Sequence, residues 1–290
     1  MTRTSAADPN AADREKQTIV VERPFGDEAP VKVVLLGRPE NWLPSQMTEE
    51  QLERIANLVA THGVEYVFAP DPSTFNAEIC HRSDLAKIKC LPGTQAVIRG
   101  GHQADGLVIG RRDAVLIPSA DCATTLLFQA GTGKLVVAHT GLKSLLDLPA
   151  IIGERKEKKV SVIVRMMREM IDGKNPLAAW IGLCIGPQHF TFPLDHPQFG
   201  EGNRRLLDHL HRHWPCYLPE PRESGQVDLR ELIRQQLLLC GVPRLNILTD
   251  QNDTHSDTRL DNEPAWHSHR RGYDQDSPTS ARNGVLVIHE

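Results

Sequence analysis

Ala114-Val115-Leu116-Ile117-Pro118-Ser119-Ala120-Asp121-Cys122-Ala123-Thr124-Thr125-Leu126-Leu127-Phe128 is the stretch that decides how this chain folds. Two apolar runs flank a small polar tetrapeptide, and each has the length and composition of a strand. Ala130-Gly131-Thr132-Gly133 then supplies a turn, and the next apolar run, Leu135-Val136-Val137-Ala138, ends in His139-Thr140-Gly141. The spacing predicts that the Cys122 thiol and the His139 imidazole lie close together on adjacent strands, at the rim of a pocket. A Cys/His pair of this kind has two chemistries. It holds zinc through thiolate and imidazole, or it acts as nucleophile and base, with Asp121 or a backbone carbonyl orienting the ring. The competing reading is structural: Cys122 as a small buried hydrophobe and His139 as a satisfied polar residue at a strand end.

Working outward, the pattern is mixed. Lys32-Val33-Val34-Leu35-Leu36 and Val64-Glu65-Tyr66-Val67-Phe68 read as strands, separated by a helix from Thr48 to about Thr61 with Thr48 and Gln51 at capping-box spacing. Ala96-Val97-Ile98 and Gly106-Leu107-Val108-Ile109 add strands before the central pair. Beyond it, helices are expected at Lys159–Ile171, closed by Gly173, at Arg204–His213 and at Asp228–Cys240. Strands at 178–182, 245–248 and 284–288 complete the sheet. This order, with local hairpins, favours an α+β sandwich over a doubly wound parallel sheet.

The chain has 290 residues, 40% hydrophobic and 24% charged, with a formal charge of −4. That balance offers no basic footprint for nucleic acid, and no apolar run approaches the roughly 18 residues of a membrane span. Six cysteines, at 80, 90, 122, 184, 216 and 240, form no CxxC pair, and the first residues lack the apolar centre of a secretion signal. A cytoplasmic protein with reduced thiols is expected, with residues 1–17 a disordered tail and 18–290 one domain. His209, His211 and His213 do not share one helix face and make a poor metal site.

Four segments carry a resemblance: Ala104-Asp105-Gly106-Leu107-Val108, Ser119-Ala120-Asp121-Cys122, Val137-Ala138-His139-Thr140-Gly141 and Ile181-Gly182-Leu183-Cys184-Ile185-Gly186-Pro187. Asp228-Leu229-Arg230, Gln236-Leu237, Gly241-Val242, Ser268-His269-Arg270-Arg271 and Arg282 follow in order. Over about residues 80–290 the sequence resembles the YfiH/laccase-domain family, whose members are called polyphenol oxidases and also purine nucleoside phosphorylases with adenosine deaminase activity, one branch being linked to peptidoglycan editing. The resemblance implies a multilayered α/β sandwich with a mixed central sheet, similar to the YfiH and cysteine-deamidase fold, and a zinc ion held by one cysteine and two histidines. Cys122 and His139 match two of those ligands.

The departures are specific. The family's Gln-x-His-Gly segment has its best local match in Cys90-Leu91-Pro92-Gly93-Thr94, where proline stands for the ligand. Its Ala-His-Ala-Gly-Trp-Arg-Gly run is here Ala138-His139-Thr140-Gly141-Leu142-Lys143-Ser144, with an ammonium in place of a planar guanidinium. Residues 18–79 also diverge from the family's usual opening. His102 or His81 is the expected third ligand, and Lys143, Arg270 and Arg271 are expected to approach substrate. The leading expectation is a zinc enzyme acting on a purine nucleoside, by phosphorolysis or deamination, with a nucleoside and phosphate as its small-molecule partners. The alternatives are a metal-free Cys/His amidase or deamidase and a non-catalytic, ligand-binding descendant. Copper chemistry fits less well, because a blue-copper site needs more donors than one cysteine and one histidine.

Overall fold

Alternation along the strands sorts the apolar side chains into three layers. The computed structural model describes residues 18–26, 29–154, 159–170, 175–214, 225–259, 261–274 and 280–290, so the expected tail at 1–17, Cys216 and the helix stop at Gly173 lie outside the described residues. One sheet has seven strands, in the order β1 (Thr18–Glu22), β2 (Val31–Leu36), β13 (Asn283–His289), β8 (Asp113–Ser119), β3 (Tyr66–Asp71), β6 (Val97–Gln103) and β5 (Ala86–Cys90). The other has six: β12 (Ile247–Thr249), β11 (Leu177–Ile181), β9 (Ala123–Gln129), β10 (Lys134–Thr140), β7 (Gly106–Ile109) and β4 (Ile79–Cys80). Both are mixed. In the first, β3 runs parallel to β6 and β8; in the second, β12 and β4 run parallel to their neighbours while β11, β9, β10 and β7 form an antiparallel centre.

Val33, Leu35, Val115, Ile117, Val285 and Val287 of the first sheet pack against Leu126, Phe128, Leu135, Val137 and Trp180 of the second. This seam between the sheets is fully apolar along its middle, and each wholly buried Val or Leu in it contributes on the order of 2 kcal/mol. The alternate residues of the first sheet, among them Val34, Leu36, Leu116 and Leu286, face helix α1 (Glu49–Ala60) through Leu52, Ile55, Ala56 and Val59. Those of the second, Ala123, Leu127, Val136 and Ala138, face α4 (Val162–Met170), α5 (Gly200–His213) and α6 (Leu229–Leu239). The short helices α2 (Leu142–Leu145) and α3 (Leu148–Ile151) follow β10, and α7 (His269–Asp274) precedes β13. The result is a four-layer helix–sheet–sheet–helix sandwich, the multilayered α/β arrangement that the family resemblance implies and a form of the α+β sandwich that the element order favours.

The sequence reading places the major elements. The Thr48–Gln51 capping box is formed, with both reciprocal hydrogen bonds. One expectation needs correction: the strands do not complete a single sheet, and those on either side of Cys122 lie in different ones. β8 belongs to the seven-stranded sheet and β9 to the six-stranded one, so Ala120-Asp121-Cys122 carries the chain across the seam. The expected sheet content is thus divided over two sheets. Among the described residues, no helix is long and apolar enough to cross a membrane.

Candidate active site

The β9–β10 hairpin sets the geometry. Its turn closes through Gly131 and Gly133, both at positive φ, and its register pairs Thr124 with His139 and Ala123 with Thr140. Period-2 alternation from Leu135 and Val137 points His139 into the end of the inter-sheet seam, where it is buried. Cys122, one residue ahead of β9, is half-buried beside it, and the imidazole hydrogen-bonds its sulfur. Gly141 shows how tight the arrangement is. A Cβ there would stand 2.6 Å from Cys122 Sγ and 3.1 Å from His139 Cε1, so only glycine leaves room for the pair.

The group that orients the ring is Asp105, not Asp121. Asp105 Oδ1 lies 3.3 Å from His139 Nδ1 and accepts a hydrogen bond from Ser144 Oγ at 2.8 Å, while Oδ2 accepts from Ala77 N at 2.6 Å. The residue is fully buried, at the entry to β7 opposite His139, whose own N–H donates to the Asp105 carbonyl. With Nδ1 turned to Asp105, Nε2 is the nitrogen left for the sulfur. Burial pushes the imidazole pKa down, but attraction to the Cys122 sulfur and the hydrogen bonds to Asp105 and Cys122 outweigh it and lift the pKa to about 9. Asp121 instead fastens the crossover loop, accepting from Thr254 Oγ1 at 2.8 Å and from Arg270 N at 2.7 Å.

The third side of the pair is aromatic. Phe75, at φ 47°, places its ring centroid 5.7 Å from that of His139, and Lys143 Nζ lies 5.3 Å from the centroid of the Phe75 ring. Beyond Phe75 and Lys143 opens a cleft of about 910 Å³, with Leu146, Leu148, Ile152 and Phe199 on its walls. Cys122 and His139 stand behind Phe75 and do not line the cleft.

The remaining expected site residues fall elsewhere. His102 Nε2 is 3.1 Å from Glu78 Oε1, and His81 Nε2 is 3.7 Å from Glu169 Oε2. Neither joins Cys122 and His139: among the described residues no group of three His, Cys, Asp or Glu side chains is placed to hold a metal ion. Pro92 sits in the turn between β5 and β6, after Leu91 in the helix-covered core of the other sheet, and so does not mark the missing position. Arg271 is spent on the backbone carbonyls of Trp266, Thr254 and His255. Arg270 docks through its backbone N–H, with its guanidinium 6.0 Å from the Phe192 ring. Cys184 and Cys80 are buried, and burial pushes both thiols up to about 12, which leaves them inert.

The donor set therefore suits a thiol–imidazole–carboxylate relay better than a metal. Catalytic zinc takes three protein ligands and blue copper takes two histidines with a cysteine, whereas here one thiol and one ring nitrogen face an aromatic wall. Sequence reasoning missed Asp105 as a functional group, although the signal was there: an isolated carboxylate between alanine and glycine at a strand start is a poor strand former. Phe75 carried no such signal.

A model of the family described as multi-copper polyphenol oxidoreductase laccase matches residues 49–287. Among solved structures, the chain is similar to YfiH of Bacillus licheniformis, with a TM-score of 0.59, 18% identity and coverage of 90% of this chain and 93% of that one. It is similar also to YlmD of Geobacillus stearothermophilus, with a TM-score of 0.59, 21% identity and coverage of 92% and 94%. A Neisseria meningitidis protein of the DUF152 family gives a TM-score of 0.58 at 16% identity over 94% and 99%. At such identities the likeness speaks for the fold alone. No curated protein sequence matches the chain.

Proposed function

The chain belongs to the multi-copper polyphenol oxidoreductase laccase family, and from that premise we propose that it acts as a metal-independent cysteine hydrolase, an amidase or deamidase, with Cys122 as nucleophile, His139 as acid and base, and Asp105 as the positioning carboxylate. The observation that carries the reading is the buried Asp105–His139 pair set against the half-buried Cys122 sulfur. In this mechanism His139 Nε2 takes the thiol proton and the thiolate adds to the amide carbonyl carbon. As the C–N bond breaks, the imidazolium returns its proton to the departing amine, leaving a thioester on Cys122. Water then attacks the thioester with His139 as base, restoring the thiol. Asp105 holds the ring's tautomer throughout and stabilises the imidazolium. The cleft beyond Phe75, apolar but for Lys143, Lys159, Glu154 and a few polar groups, suits the body of a substrate whose amide reaches past that ring.

The zinc-dependent nucleoside reading would need a third protein donor at the pair, and Phe75 brings none. The two readings part in one assay. Chelated protein is offered a panel of small amides and, in parallel, adenosine and inosine with phosphate. Amide hydrolysis in the chelated protein, lost in Cys122→Ser, is the expected result. Turnover that appears only on adding metal, or that survives in Cys122→Ser, would overturn the proposal.

A further inference from the structure

At the opposite end of the second sheet lies another cleft, of about 690 Å³, formed by the loop after β4, the end of β7 and the β9–β10 turn. It is distant from the cysteine. Lys134 at its edge and His139 are five residues apart on the same strand, which at about 3.3 Å per residue separates them by roughly 17 Å.

Its lining is cationic. Arg82, Arg111, Lys134 and His81 converge on it, with Ser83 and Thr132 between them, and no carboxylate is among the lining residues. The neighbouring acids are engaged from outside: Asp113, itself buried, lies 3.5 Å from Arg82 Nη1, Glu169 approaches His81, and Asp84 accepts from His81 N. Lys134 donates to the Glu169 backbone carbonyl, which leaves its charge uncancelled. Arg111 is exposed and pairs with no carboxylate among the described residues.

Arg82 is also held in place. Its guanidinium carbon lies 5.0 Å from the Tyr66 ring centroid and 5.8 Å from that of Phe68, while Arg99 packs on the same Tyr66 ring at 4.5 Å. The Arg99 Nε, behind Tyr66, is buried without a hydrogen-bond partner among the described residues. Two guanidiniums, Arg82 and Arg111, and the Lys134 ammonium thus meet at the cleft, and of the three only Arg82 has a carboxylate within ion-pair distance among the described residues. Arginine forks match the paired oxygens of phosphate, and stacking fixes the fork before a ligand arrives.

We propose that this cleft binds a small phosphate-bearing anion, a phosphate ester or a diphosphate, at a site separate from the Cys122 centre. Its volume is that of a small-ligand pocket, and the positive charges of Arg82, Arg111 and Lys134 match a group carrying two or more negative charges. The proposal does not depend on the hydrolase reading.

The test is titration calorimetry of the full chain with inorganic pyrophosphate and, separately, with a simple phosphate monoester. Binding of either is expected, weakening with added salt, unchanged in Cys122→Ser, and reduced roughly 10- to 100-fold in Arg111→Ala and in Arg82→Lys, which keeps the charge but loses the fork. Preference for one titrant then tells a diphosphate from an ester. Lys134→Ala, which leaves the stacked arginines intact, is the check against a folding defect and should weaken binding as well. The proposal is overturned if neither anion binds at millimolar concentration, if the variants bind like the parent, if Lys143→Ala abolishes binding instead, or if only long polyanions such as RNA bind.

Discussion

Asp105→Asn perturbs the centre with almost no change of shape, and the structure sets what it should cost. The carboxylate accepts three hydrogen bonds through two oxygens: His139 Nδ1 and Ser144 Oγ on Oδ1, Ala77 N on Oδ2. An amide has one acceptor oxygen. If that oxygen replaces Oδ1, the NH2 group faces the Ala77 N–H, and two buried donors oppose each other at a cost of about 1–3 kcal/mol. Ala77 is at φ 60° and Phe75 at φ 47°, so the segment that brings Phe75 to His139 loses the bond that pins it. If the amide flips, its NH2 meets His139 Nδ1, forcing the tautomer that carries its proton on Nε2 and can no longer take one from Cys122. Either way the charge that helps hold His139 protonated up to about 9 is gone, and the ring pKa falls. The expected outcome is a loss of about 1–3 kcal/mol in urea unfolding and a fall of roughly 10²- to 10⁴-fold in the His139-dependent step. The assay is the rate of Cys122 alkylation by iodoacetamide from pH 5 to 10, read by mass spectrometry, alongside unfolding. An alkylation profile and stability equal to the parent's would refute Asp105 as the residue that positions His139.

Other consequences follow from neighbouring geometry. Gly141→Ala puts a methyl group 2.6 Å from Cys122 Sγ, so alkylation should slow sharply and stability fall by about 1–3 kcal/mol; an unchanged rate would mean that the thiol is not wedged against this backbone. Phe75→His replaces the aromatic wall with a donor, and zinc content after dialysis against the metal should rise to about one ion per chain, whereas the parent should hold substantially less. Equal zinc in both would show that Phe75 is not what denies the pair a third ligand. His267 is driven by burial down to about 4 while its Nε2 bonds the Glu40 carbonyl. Below pH 6.5 the unfolded chain takes up a proton that the folded chain refuses, so stability is full above that pH and declines by up to about 3 kcal/mol as pH falls toward 4. His267→Gln should flatten that slope in urea titrations at pH 7 and 5.

Local order was legible in the sequence; assignment to layers was not. The apolar run Leu135-Val136-Val137-Ala138 and the glycines of the turn before it mark the β9–β10 hairpin, and the hairpin brings Cys122 to His139. Nothing local says that Ile117 and Leu126 sit in different sheets, because both strands are buried on both faces and read as continuous apolar runs. The same limit hid Asp105 and Phe75. Asp105 reaches His139 by the pairing of β7 with β10, and Phe75 arrives on a loop whose conformation depends on a hydrogen bond to Asp105, a contact between distant parts of the chain. Asp121 stood next to the cysteine and drew the orienting role, yet its side chain points away to Thr254 and Arg270. His81 and His102 are candidates by their place ahead of the Ala104-Asp105-Gly106 segment, and the strand directions carry His81 to the far end of the second sheet, onto the cationic cleft.

The most direct measurement of the central claim is intact-mass analysis of chelated protein quenched during reaction with an activated small acyl ester. A transient mass increase equal to one acyl group, mapped to Cys122 and absent from Cys122→Ser and His139→Ala, is the result that a thiol nucleophile with an imidazole base predicts. Acylation distributed over other cysteines and lysines, or no adduct in a preparation whose turnover requires added zinc, would contradict it.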